Sequence, residues 1–237
     1  TENTPVVEAE TLEAETFNAI PDTMALEETE GTDKAVREYF KDELVQVVTD
    51  KDETHAGYYL FDKDGYMLTG GNKHEKTGKE YYLITSEEAA LYEEESKDEK
   101  TPYNSDLGQA KKDYWHWDGT AFSYYAEEDG SKASIADLNK ENEKGYFTIG
   151  TGNYRLGDDG KPVTGEVTIN EELYYFNPSA NKDGIPGEMY INKPRKVGKD
   201  TYFYKEDGKR ADDEKVLYKG DYFYLLKGGK RANNMMI

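Results

Sequence analysis

Short aromatic runs alternate along this chain with acidic turns that end in glycine, and the alternation recurs. Tyr58-Tyr59-Leu60-Phe61 leads into Asp62-Lys63-Asp64-Gly65, and Tyr66-Met67-Leu68-Thr69 comes next before Gly70. An aromatic run, an Asp-Gly turn and a second short run predict one β-hairpin over 58–70, with glycine supplying the positive φ the turn needs. Tyr124-Tyr125-Ala126 before Gly130, Tyr202-Phe203-Tyr204 before Gly208 and Tyr222-Phe223-Tyr224 before Gly228 repeat the arrangement. Looser copies stand at Tyr81-Tyr82-Leu83, at Tyr154-Arg155-Leu156 with Gly160 and Gly165, and at Tyr174-Tyr175-Phe176 with Gly184 and Gly187. A short motif that returns this often predicts a repeat architecture. Neighbouring tyrosines on a strand face opposite sides, so at least half of these rings are expected to pack inward.

The segments between the repeats read differently. Residues 1–32 are an acidic tract rich in Glu, Thr and Ala with Pro5 and Pro21, which reads as a flexible leader. Val6, Val7, Phe17 and Ile20 leave open a strand or helix that docks on the domain. Val36, Tyr39, Phe40, Leu44 and Val47 fall near helical spacing behind a Thr32 or Asp33 cap and predict a short helix over 33–43. Leu44-Val45-Gln46-Val47-Val48 is β-branched enough to form a strand instead. Residues 86–113 are a charged insertion or a seam, helix-favouring at Glu87-Glu88-Ala89-Ala90-Leu91 and loop-like around Pro102. Residues 134–144 allow one or two helical turns. The expected organisation is therefore a leader at 1–32, a helix with the first hairpins at 33–85, the insertion at 86–113 and a second hairpin array at 114–237. The fold class is mainly β: tandem, solenoid-like β-hairpin repeats with a short N-terminal helix and an acidic leader.

Composition narrows the partners. The chain of 237 residues carries 50 Asp and Glu against 30 Lys and Arg, and such a field repels duplex nucleic acid and anionic membranes. Hydrophobic residues make up 35%, yet 21 residues are Tyr, so the core is expected to be built from tyrosine rings. There is no cysteine, which excludes disulfides, thiolate catalysis and Cys-ligated zinc. No apolar run approaches the ~20 residues of a spanning helix. Beginning at Thr1 without an initiator Met, the chain reads as trimmed of a signal segment.

The repeated motif resembles the cell-wall-binding repeats of Gram-positive surface proteins, the choline-binding and related glucan-binding β-hairpin modules. Gly65-Tyr66-Met67-Leu68-Thr69-Gly70 and Gly160-Lys161-Pro162-Val163-Thr164-Gly165 are similar to that family's turn and second strand. The resemblance covers roughly 57–232, with 86–112 outside it. It implies a hairpin-repeat fold on a secreted or surface protein, with cell-wall polysaccharide or another glycan as partner. The chain departs from the family where a tryptophan cage would take choline. The position before the tyrosine pair holds Gly57, Ser123, Asn153, Leu173, Thr201 and Asp221, and the position after the closing glycine holds Gly71, Glu166 and Glu188. A cation–π cage needs several ring faces, so the choline site does not carry over at any repeat.

The remaining candidate chemistry is aromatic. Tyr114, Trp115, Trp117, Asp118 and Tyr125 form the best local cluster for stacking on a sugar, and it holds both tryptophans. Trp115 and Trp117 are two apart and share a face if the segment is a strand. They equally suit the core at the start of the second array. No EF-hand register closes: around Gly65 the end positions are Leu60 and Gly71, and around Gly184 the loop lacks its closing Glu, so no metal and no cofactor is expected. His55, His74 and His116 have neither metal spacing nor a nucleophile motif, and shallow hairpin faces disfavour enzyme chemistry. The basic residues Lys205, Lys209, Arg210, Lys215, Lys219, Lys227, Lys230 and Arg231 read as a patch for anionic wall polymers or as lysines guarding exposed edges. Two functions stand. One is a non-catalytic, extracellular module that binds cell wall or glycan. The other is a structural spacer or protein-adhesion module with no glycan ligand.

Overall fold

The computed structural model describes residues 6–8, 40–48, 57–95, 107–126 and 128–232. Its strands are β1 (Val6–Glu8), β2 (Glu43–Val48), β3 (Gly57–Phe61), β4 (Gly70–Lys73), β5 (Glu80–Leu83), β6 (Tyr114–Trp117), β7 (Phe122–Tyr125), β8 (Phe147–Ile149), β9 (Gly152–Tyr154), β10 (Gly165–Ile169), β11 (Glu172–Phe176), β12 (Lys193–Val197), β13 (Asp200–Tyr204), β14 (Lys215–Tyr218) and β15 (Asp221–Tyr224). Among the described residues two helices accompany them, α1 (Ser86–Glu95) and α2 (Ile135–Glu141). The fold is mainly β. Consecutive strands pair as hairpins, from β2–β3 to β14–β15, and β1 adds in parallel to β2 with Val6 opposite Gln46.

Each aromatic run is the second strand of its hairpin, which corrects the hairpin expected over 58–70. β3 pairs with the segment before it, Leu44 opposite Leu60 and Val45 opposite Tyr59. After the turn the chain only bridges back, Met67 to Phe61, with the Leu68 amide donating to the Leu60 carbonyl at 2.8 Å. The reason is hydrogen-bond supply: β2 offers five consecutive partners to β3, whereas the segment after Gly65 is too short before Gly70 turns away.

The backbone keeps a single register after every turn glycine, which in the last repeat is Gly229 and not the expected Gly228. The residue three after the glycine donates to its own aromatic strand: Leu68 to Leu60, Lys111 to Tyr82, Ala133 to Tyr124, Val163 to Arg155, Tyr190 to Tyr175, Ala211 to Phe203 and Ala232 to Tyr224. The residue two after the glycine donates to the preceding hairpin: Ala110 to Tyr58, Lys132 to Glu80, Met189 to Asn153, Arg210 to Leu173 and Arg231 to Thr201. Successive repeats are thus joined by backbone bonds as well as by rings. Pro162 occupies the second position in its repeat and has no N–H. There the direction reverses, and the Phe122 amide donates to the Gly160 carbonyl at 2.9 Å.

The turns use their acidic residues locally. Asp62 Oδ1 accepts from the Asp64 and Tyr66 amides, and Asp129, Asp159 and Asp207 accept from Ser131, Lys161 and Lys209. These are Asx-type caps, which is why Asp recurs two residues before the main-chain donor.

The chain divides into two compact units, residues 1–114 with 124–133, and 115–123 with 134–237. The first buries Phe40, Val45, Val47, Tyr59 and Phe61 in one cluster and Leu44, Leu60, Tyr81, Leu83 and Ala110 in another. The second buries Ile169, Tyr174, Phe176 and Met189, and then Phe203, Ala211, Phe223 and Leu225. Burying one such side chain contributes about 1.5–3 kcal/mol, so each hairpin depends on its neighbours for most of its stability.

The helix expected over 33–43 lies outside the described residues up to 39. Phe40–Asp42 are not helical and Glu43 opens β2, because Val45 and Val47 are buried with β-branched alternation. The leader lies outside the described residues except at β1. The insertion at 86–113 carries α1 in the place where other repeats have their turn. Gly108 then takes the turn-glycine position, and Gln109, Ala110 and Lys111 return to β5 and β3.

Candidate functional site

The five candidate residues fall into two groups, one in each unit. Trp115, Trp117 and Asp118 belong to the second unit, Tyr114 and Tyr125 to the first. In the second unit Trp115 stands edge-on to Phe122 at 6.2 Å and tilted against Phe147 at 5.2 Å. Trp117 lies 4.9 Å from Phe122. Phe122 is buried and also meets Tyr154 at 5.3 Å, while both tryptophans are half-buried. The indoles are therefore seated on one shared ring and retain solvent-facing surface. Asp118 is exposed, and its Oδ1 accepts from the Thr120 and Ala121 amides at 2.8 and 2.9 Å, fixing the β6–β7 turn. That oxygen is committed to the turn.

In the first unit Tyr114 and Tyr125 join Tyr82. The three ring centroids lie 5.5, 6.0 and 6.4 Å apart. The Lys111 ammonium sits 4.2 Å from the Tyr114 centroid and 5.5 Å from that of Tyr82, and donates to Glu88 Oε1 at 2.7 Å. Desolvation pushes the Glu88 carboxyl up, but the Lys111 and Thr85 hydrogen bonds outweigh it and hold the group below its ordinary value. Burial, and then the Glu88 charge, raise the Tyr82 phenol.

The second unit repeats the motif. Tyr175, Tyr190 and Tyr204 form a triangle with centroids 5.9, 6.0 and 5.7 Å apart. The Arg195 guanidinium lies 3.6 Å above Tyr175, and the Lys193 ammonium 4.2 Å from Tyr190. Lys111 and Tyr190 occupy the same register position, three after the turn glycine, and Tyr114 and Lys193 each come three residues later. Ring and cation have exchanged places between the two repeats. Desolvation, and then the Glu166 charge, push the Tyr204 phenol up to about 12.

The position before the tyrosine pair is closed to a side chain at the first repeat. A Cβ on Gly57 would run into the side chain of buried Gln109. The Leu173 and Thr201 carbonyls accept the inter-repeat bonds. Most of the basic C-terminal residues are engaged nearby. Lys205, Lys209, Arg210 and Lys230 pair with Glu214, Glu172, Glu166 and Asp200, and Lys215, Lys219 and Arg231 lie over Tyr222, Tyr218 and Phe223. His74 is buried; its Nε2 donates to the Asp42 carbonyl at 3.2 Å and its Nδ1 meets the Thr77 hydroxyl at 2.9 Å, a structural arrangement. His55 lies outside the described residues. Among the described residues no three His, Asp or Glu side chains are grouped to hold a metal, and no helix is long and apolar enough to cross a membrane.

Sequence reasoning missed Tyr82, Glu88, Lys111, Tyr190 and Arg195 as one kind of site. The available signal was the register after glycine. Leu68, Ala133, Val163, Ala211 and Ala232 are small or apolar there, and Lys111 is charged.

No family model and no curated protein matches the chain. Solved structures do. Choline binding protein F from Streptococcus pneumoniae matches at 20% identity with a TM-score of 0.37, over 75% of this chain and 45% of that one. In structure, this chain is similar to choline-binding hairpin-repeat proteins. The modular autolysin LytC from Streptococcus pneumoniae gives 16% identity and a TM-score of 0.44 over 85% of this chain and 35% of its own. The choline binding domain of Spr1274 in Streptococcus pneumoniae gives 24% and 0.30, over 38% of this chain and 94% of that domain. The chain thus spans less than half the length of the first two. The fold assignment stands on the chain's own hairpins.

Proposed function

We propose that the chain is a non-catalytic, extracellular module that attaches to cell-wall glycan, with Trp115 and Trp117 as its stacking platform. The supporting observation is the seating of both indoles on buried Phe122 while each keeps exposed surface. A pre-positioned ring loses little conformational freedom when a sugar stacks on it. Asp118 supports the platform through the turn rather than by direct contact, and an acidic surface suits a neutral sugar better than an anionic polymer. The test is co-sedimentation of the full chain with Gram-positive wall sacculi, before and after removal of teichoic acid. Binding to both preparations that is lost in Trp115→Ala and Trp117→Ala, with far-UV spectra unchanged, is the expected result. Binding that disappears with the teichoic acid moves the site to the basic C-terminal hairpins. No sedimentation with either preparation leaves the spacer or protein-adhesion reading in its place.

A further inference from the structure

Lys111 is a charge at a position that other repeats fill with Leu68, Ala133, Val163, Tyr190, Ala211 and Ala232. Its side chain is 6% exposed. Taking an ammonium out of water is costly unless a counter-charge and polarisable neighbours replace the lost solvation. Here both are present. Tyr114 and Tyr82 present ring faces at 4.2 and 5.5 Å, Tyr125 packs against both rings, and Glu88 supplies the counter-charge at 2.7 Å.

Glu88 is itself held. It is the fourth residue of Thr85-Ser86-Glu87-Glu88 at the start of α1, a reciprocal capping box. The Glu88 amide donates to Thr85 Oγ1 at 3.3 Å, and the Thr85 amide and hydroxyl donate to Glu88 Oε2 at 3.1 and 3.3 Å. One carboxylate oxygen serves the helix start and the other serves Lys111. The helix of the insertion thereby fixes the cation against the rings.

We propose that Tyr82, Tyr114 and Tyr125 form an aromatic cation site that this chain fills with its own Lys111, latched by Glu88 of α1, so that free organic ammonium ions are shut out until Lys111 is withdrawn. The second unit shows the same chemistry with Arg195 and Lys193 on Tyr175 and Tyr190, so a self-supplied cation is a recurring device of these repeats.

The test uses the full chain and tetramethylammonium chloride, with sodium chloride at matched ionic strength as control. Wild type shows no saturable change in tyrosine ring resonances. Lys111→Ala shows a saturable one, accompanied by a rise in Tm, and the double variant with Tyr114→Ala loses both. Reductive methylation of the wild type read by mass spectrometry gives a second, independent measure. Lys111 reacts roughly tenfold or more slowly than Lys182, whose side chain is 84% exposed, and Glu88→Gln, which keeps the capping box, narrows the gap. A folded Lys111→Ala that ignores tetramethylammonium, or a wild type that binds it equally, overturns the proposal. So does a Lys111 methylated as fast as Lys182, which decides the matter even if Lys111→Ala fails to fold.

Discussion

At the scale of single residues, the chain satisfies its buried polar groups unevenly. Tyr204 is the sharpest case. It is fully buried, and Arg195 lies close enough to lower its phenol's pKa against a strong desolvation effect, yet the hydroxyl misses the geometry of a hydrogen bond. A buried polar group left unsatisfied costs about 1–3 kcal/mol. Tyr204→Phe is therefore expected to leave Tm unchanged or raise it, and a clear fall in chemical denaturation would show that the hydroxyl is bonded after all. Glu88 and Asp129 make the opposite case. Desolvation works against both, but Lys111 with Thr85, and Lys79 with Ser131, hold their carboxyls below ordinary values. A lowered folded pKa contributes stability that is full above the unfolded value and is lost as pH falls through the folded one. Tm is expected to be flat above about pH 5 and to fall below it. The fall should be shallower in Glu88→Gln, and an unaltered slope in that variant would remove Glu88 from the account.

At the scale of elements, turns decide the architecture. Thr85 to Glu88 carry a legible helix start, and the Glu-rich stretch behind them favours a helix. The turn that this segment replaces is not legible, because Gly108 resembles any other loop glycine until its partners on β5 and β3 are known. Gly160 shows how tight these turns are. Its φ is +78°, and an added Cβ would collide with the Phe122 carbonyl, the same repeat in which Pro162 removes the usual inter-repeat donor. The Phe122 amide to Gly160 carbonyl bond is thus the replacement link, and nothing flexible can yield around it. Gly160→Ala is expected to destabilise the second unit by about 2–3 kcal/mol in urea denaturation. A change near zero would mean that the turn can re-form elsewhere.

At the scale of the whole molecule, the two units each possess their own buried clusters. Stability in repeat arrays is a sum of local terms and nearest-neighbour terms, so cooperativity is not guaranteed across a boundary. Calorimetry is expected to resolve more than one transition, with Gly160→Ala shifting only one of them. A single transition whose calorimetric and van't Hoff enthalpies agree would show that the units unfold together. The net charge of −20 acts on this scale as well, through self-repulsion that salt relieves.

The alternation of aromatic runs with Asp-Gly turns determined by itself that the chain is a β-hairpin repeat. Side-chain period and turn chemistry are local properties, and they are readable at Tyr58, Tyr81, Tyr124, Tyr154, Tyr174, Tyr202 and Tyr222 alike. The residues flanking the motif, from Gly57 to Asp221, likewise put no tryptophan where the family's cage would stand. Tertiary structure alone decided which segment each aromatic strand pairs with, since β3 could bond either flank until hydrogen-bond supply chose β2. It also decided that Tyr114 faces Lys111 with Tyr125 packed beside it, while Trp115 and Trp117 rest on Phe122. Ring clusters join residues dozens of positions apart, such as Tyr82 and Tyr125, and no local pattern records which cation a distant ring will cover.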